Sequence, residues 1–151
     1  MPKAAIFADT QAEPESVYKW LDWLETQLPF PVYRVTAGNL EASVIDLRRT
    51  KDGRLYSRTN VPMFTRNEDG SQGKIRFRSC TKDYKIKPIR RKQKELAEIK
   101  RGQKTVTVTT WIGISTDEAG RMKDSRDPWC VNRWPLIELD MTRADCLAWI
   151  D

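Results

Sequence analysis

Hydrophobic and polar positions fall into alternating blocks along this chain. Residues 4–9, AAIFAD, form a short continuous apolar run that closes on an acid, the pattern of a strand buried in a parallel sheet. PESVYKWLDWLETQL comes next, with Val17, Trp20, Leu21, Leu24 and Leu28 at helical spacing and Pro14 suited to a first turn. Pro29 and Pro31 end that helix, and VYRV predicts a second strand. NLEASVIDLRR repeats the helical spacing at Leu40, Val44 and Leu47. Between about 50 and 73, Gly, Asn, Asp and Ser interrupt every period, which predicts a long loop, and long loops in compact domains tend to be functional or mobile. A helix is expected from near Pro88 through KELAEIK. TVTVTTWIGIS, rich in β-branched residues, reads as a strand that leads into the polar turn TDEAGR. WPLIEL predicts another strand and TRADCLAWI another helix, with Thr142 as N-cap three residues before Asp145.

Strands alternating with helices predict an α/β fold, three-layered, with a mainly parallel sheet. No internal repeat is visible, and 151 residues suit a single domain, 1–151, with a real core. In such sheets ligands sit beyond the carboxyl ends of the strands. That rule selects ADTQAEPES, GISTDEAGR and the basic segment RSCTKDYKIKPIRR.

Charge and chemistry narrow the picture. There are 27 basic and 21 acidic side chains, a net charge of +6, with the excess concentrated between Lys74 and Lys104, so anionic partners are favoured. The chain has no histidine, which removes the commonest general base and the Ser-His and Cys-His nucleophile pairs. Cys80, Cys130 and Cys146 are odd in number and widely spaced, so no disulfide framework or local zinc motif is expected. MPKAAIFADT lacks the features of a signal peptide and no segment has the length of a membrane span, so a cytoplasmic protein is expected.

Each selected stretch also has a purely structural reading. Asp9 and Thr10 can cap the following helix, Asp117 and Glu118 can complement a helix dipole, and the lysines and arginines can form a solvated face.

Together, and in this order, the stretches resemble the phosphoadenosine-phosphosulfate (PAPS) reductase-like branch of the PP-loop ATP pyrophosphatase superfamily, particularly its phage-borne members. CTKDYKIKPI is similar to the family's C-C-x-x-R-K-x-x-P-L motif at Cys80, Lys85 and Pro88, with Ile89 for the leucine and departures at Thr81 and Tyr84. GISTDEAGR resembles the family's glycine-led turn at Gly113, Ile114, Glu118 and Arg121. Asp9, Thr10 and Gln11 resemble its strand-end D-T-G, with Gln11 the departure, and WPLIEL with RADCLAWI is similar to its last strand and helix.

The resemblance implies a truncated Rossmann-like sheet of the HUP type and a site for ATP, with Mg2+, or for PAPS. Lys85, with Arg90 or Arg121, would face the phosphate or sulfate end, and Asp9, Thr10, Cys80 and Glu118 would complete the site. The sequence opens where the family's second strand would lie, and the S-G-G-x-D-S loop and distal cysteine motifs are not in it. No reductase activity is therefore expected, and ATP chemistry would call for a partner chain. The missing strand would leave open sheet edges, and with six tryptophans this predicts a homo-oligomer or a partner that supplies the strand. Two other classes stay open. One is a nucleic-acid binder using residues 74–104, with Phe77 or Tyr84 for stacking. The other is a non-catalytic interaction protein, such as a phage factor acting on a host protein.

Overall fold

The computed structural model describes residues 1–57, 61, 64–75 and 79–150. The chain divides into two compact units, Met1–Lys92 and Gln93–Asp151. Among the described residues the fold is mixed α/β, built from four two-stranded sheets, two parallel and two antiparallel.

The first unit opens with β1 (Ala5–Asp9), α1 (Glu15–Gln27) and β2 (Val32–Thr36). β2 runs parallel to β1, with Ala5 opposite Val32 and Asp9 opposite Thr36, and α1 is the crossover that a parallel pair requires. Leu21 is the anchor of α1 at 2% exposure, whereas Trp20 and Trp23 are each 55% exposed. Val17, Leu24 and Leu28 are half-buried beside Leu21, and Trp20, although it shares their helical spacing, lies outside that stripe. Neither Asp9 nor Thr10 caps α1, whose N-cap position is Pro14 without any side-chain bond.

Three expectations change in the next stretch. α2 covers only Leu40–Ile45, capped by Asn39, whose Oδ1 accepts from Ala42 N at 2.7 Å. Leu47 does not continue this helix. It starts β3 (Leu47–Arg49), which pairs antiparallel with β4 (Leu55–Ser57). The expected loop at about 50–73 therefore contains strand structure, since β5 (Phe64–Arg66) also pairs with β6 (Gln72–Ile75). Strands of three or four residues are too short to show a period, but each hairpin turns on a D-G pair, with Gly53 and Gly70 at φ 84°. After residues 76–78, which fall outside the described residues and include Phe77 and Arg78, a π-helical turn (Thr81–Ile86) runs into α3 (Lys87–Leu96).

The second unit pairs β7 (Val108–Trp111) parallel with β8 (Cys130–Arg133). β7 is shorter than the run TVTVTTWIGIS, and Thr107 N and Val108 N both donate to Trp129 O, at 2.9 and 3.1 Å. WPLIEL is not a strand. Pro135 opens α4 (Pro135–Glu138), and the strand lies just before it, because proline at a first helical position has its φ preset and no N–H to lose. α5 (Arg143–Ile150) begins as expected with a reciprocal cap. Thr142 N donates to Asp145 Oδ2 at 2.8 Å and Asp145 N donates to Thr142 Oγ1 at 3.2 Å. The three cysteines are free thiols. No helix among the described residues is long and apolar enough to cross a membrane.

Candidate functional site

Because β1 and β2 are parallel, their carboxyl ends open on the same side, and two short loops meet there. Gln11 takes φ 56°, and its N–H donates to Asp9 Oδ1 at 2.7 Å. Asn39 Nδ2 donates to Gln11 O at 3.1 Å and Leu40 N to Thr10 O at 2.9 Å, which ties the loop after β1 to the start of α2. Gly38, at φ 104°, turns its N–H onto Thr36 Oγ1 at 3.0 Å. The left-handed conformation at residue 11 is tolerated because its amide has a fixed local acceptor, the role that a glycine would fill without help.

Thr10 is 2% exposed, and its hydroxyl donates to Glu13 Oε1 at 3.0 Å. The same carboxylate oxygen meets Lys85 Nζ at 3.2 Å. Thr10, Glu13 and Lys85 thus form one polar chain from the end of β1 to the π turn, with the Lys85 side chain half exposed at its far end. Asp9 accepts from Tyr18 OH at 2.8 Å, and that bond to a carboxylate pushes the Tyr18 phenol above its ordinary pKa.

The π turn sets where Lys85 points. Lys87 N donates to Lys82 O, five residues back, so this turn carries about one residue more than an α turn. Tyr84 is drawn inward to 7% exposure and its hydroxyl donates to Ser43 Oγ, while Lys85 emerges beside Glu13. A buried Tyr84 cannot offer its face to a nucleic-acid base, which removes it as a stacking platform. Cys80 stands at the N-cap of the π turn and Arg90 lies on α3 beyond it, both partly exposed. Lys92 rests 4.4 Å from the Tyr33 ring centroid, a cation–π contact with β2.

A polar cleft of about 420 Å3 lies alongside, lined by Ser43, Asp46, Arg48, Asp83, Tyr84 and Lys87. Its charges are matched in pairs. Lys87 reaches Asp83 at 2.6 Å and Arg48 reaches Asp46 at 3.3 Å. The Lys87 ammonium holds the Asp83 carboxyl below its usual pKa.

Glu118 and Arg121 belong to the second unit, on a 3-10 turn (Thr116–Arg121) that comes after buried Ile114 and Ser115. They bond to each other at i,i+3, and both are open to solvent. Asp117 acts one element further on, where its Oδ2 accepts from Arg143 N at 2.6 Å, in the first turn of α5. No group of three or more Cys, Asp or Glu side chains among the described residues is placed to hold a metal ion.

Among the expected residues, Thr10 and Lys85 are joined through Glu13 in the first unit, Asp9 is engaged separately by Gln11 N and Tyr18 OH, Cys80 and Arg90 lie at the start of the π turn and on α3, and Glu118 pairs with Arg121 in the second unit. Glu13 lies in the selected stretch ADTQAEPES but is not singled out there, since an acid just ahead of a helix start carries no local sign that a distant lysine meets it. No protein-family model, curated protein or solved structure matches the chain.

Proposed function

We propose that the chain is a PAPS reductase-like protein that binds an adenine nucleotide, ATP or PAPS, or a related anion, with the phosphate or sulfate end against Lys85. The observation that carries this reading is the Thr10–Glu13–Lys85 chain at the carboxyl ends of a parallel strand pair, where ligands of α/β sheets are held. Lys85 brings an ammonium with three donors to that edge, and its carboxylate partner can be exchanged for a phosphate oxygen. Asp9 and Thr10 shape the floor through their own hydrogen bonds. Cys80 and Arg90 complete the first unit's share of the residues that the family resemblance assigns to anion binding, and Glu118 with Arg121 is the share carried by the second unit. Mg2+ would arrive on the phosphates of ATP. ATP turnover needs, in addition, a loop that cradles phosphate with backbone N–H groups.

On the same reading the two parallel pairs are portions of a three-layer, mainly parallel Rossmann-like sheet. Among the described residues β1 is paired on one edge only, by β2, and β7 on one edge only, by β8. Open edges of this kind recruit a further strand, so the protein is a homo-oligomer or joins a partner chain. The exposed Trp20 and Trp23 favour such a contact. A monomer by light scattering at micromolar concentration would remove this part of the reading.

Calorimetry with ATP and with PAPS, on the wild type and on Lys85→Ala, tests the site. Affinity, read from the titration curve, should weaken by about tenfold or more in the variant, as loss of a charged hydrogen bond requires. Absence of heat from both ligands, or equal affinity in both proteins, overturns it.

A further inference from the structure

The second unit holds another cleft, of about 530 Å3, formed where the chain leaves α3, turns at 100–103 and meets Trp129. Four cations line it, Lys94, Lys100, Arg101 and Lys104, and no acid among the described residues does. All four are exposed, and none forms an ion pair among the described residues.

The turn that carries Lys100 and Arg101, and that Lys104 directly follows, is fixed rather than loose. Gln103 N donates to Lys100 O at 3.1 Å, and Lys100 N donates back to Gln103 Oε1 at 3.1 Å. Gly102 sits at φ 79°, which a side chain would strain, and Gln103 Nε2 donates to Thr107 Oγ1 at 2.6 Å, binding the turn to the approach of β7. Lys94 stands 5.6 Å from the Trp129 ring centroid, so its charge stays over the cleft floor. The fixed turn keeps four like charges in one neighbourhood, where they repel one another and an anion from outside relieves them.

The chemistry of the lining says which anion. Four cations exceed the charge of a single phosphate group. The donors are long, exposed side chains, with no buried donor of fixed direction, so the cleft reads charge density along a chain rather than the shape of one group. Trp129 is 4% exposed, which leaves no aromatic face in the cleft for a base to stack on. We propose that this cleft binds the phosphodiester backbone of a nucleic acid, independently of base sequence and of the Lys85 site.

Fluorescence anisotropy with a short labelled single-stranded DNA, titrated at salt concentrations from about 50 to 200 mM, reads the contact directly. The slope of log affinity against log salt should be about −3, for four neutralised phosphates at roughly −0.7 each on a single strand. The variant Lys100→Gln/Arg101→Gln/Lys104→Gln, checked for unchanged circular dichroism, should bind about tenfold more weakly at low salt and lose about 2 from the slope. Lys3→Gln/Lys51→Gln/Arg54→Gln, which removes the same charge elsewhere, and Lys85→Ala should leave the slope unchanged. Absence of binding, or an equal loss in the charge-matched control, overturns the proposal. So does competition by inorganic triphosphate as effective, phosphate for phosphate, as competition by unlabelled DNA.

Discussion

In the first unit each cation that lines the polar cleft has a carboxylate beside it, Lys87 with Asp83 and Arg48 with Asp46, and Lys85 close by has Glu13. In the second unit the cations at 94, 100, 101 and 104 have none among the described residues, and several of that unit's acids are engaged elsewhere. Asp117 bonds the start of α5, Asp145 bonds Thr142, and Glu138 takes Arg133 at 2.7 Å. A paired cation must exchange one partner for another when a ligand arrives, which limits affinity but selects for a ligand that fits. An unpaired cluster attracts any polyanion from a distance and gives up that attraction to salt. The net charge of +6 says nothing of this difference.

The harshest test of the contrast removes the buried anchor of α1, in the first unit alone. Leu21→Ala empties the most buried position of α1 and should cost about 3 kcal/mol, read as a lower urea midpoint. Nucleotide heat should fall with it, while the salt slope of oligonucleotide binding stays as in the wild type. A slope that falls in step with the heat would show that the two clefts do not behave separately.

Glu13→Gln sharpens the comparison from the other side, since it leaves Lys85 without its carboxylate and makes the first site resemble the second. Exposed ion pairs are worth roughly 0.2–1 kcal/mol, so affinity for ATP should rise by about two- to fivefold in calorimetry. Weaker binding would mean that Glu13 positions Lys85 instead of competing for it.

The smallest effect concerns pH. Its bonds with Thr142 hold the Asp145 carboxyl below its usual range, so the unfolded chain binds this proton more readily than the folded one. The stability it contributes is complete above the unfolded value of about 3.9 and is lost as pH falls through the lower folded value. The gap in urea midpoint between wild type and Asp145→Asn should hold constant from about pH 7 to pH 5 and close below about pH 4. A gap that persists unchanged into stronger acid would show that the carboxylate is not engaged by the cap.

Those parts of the molecule that rest on local rules were legible in the sequence. AAIFAD and VYRV read as strands and pair in parallel, α1 keeps to its apolar spacing, and the Thr142–Asp145 cap starts α5. WPLIEL misleads because a short apolar run fits helix and strand alike, and Pro135 decides for helix through its missing N–H. Leu47 keeps the helical spacing of α2 but belongs to a hairpin, whose D-G turn is a stronger local constraint than one more apolar contact. Asp9 and Thr10 lie in a stretch that the strand-end rule selects, and Lys85 is singled out within the basic segment by the family resemblance. Glu13 could not be singled out, since its role exists only once a distant lysine is folded against it.

The π turn carries a consequence for the length of its segment. Such a turn is a helix with one residue in excess, and removing any one residue from TKDYKI would restore the regular ladder. The repair would also rotate the N-terminal side of the turn by about 100° relative to α3, one residue's step around an α-helix. Either Tyr84 would leave its place against Ser43 or Lys85 would leave Glu13. The number of residues across these six positions therefore matters to both contacts at once, more than the identity of any one residue that makes neither.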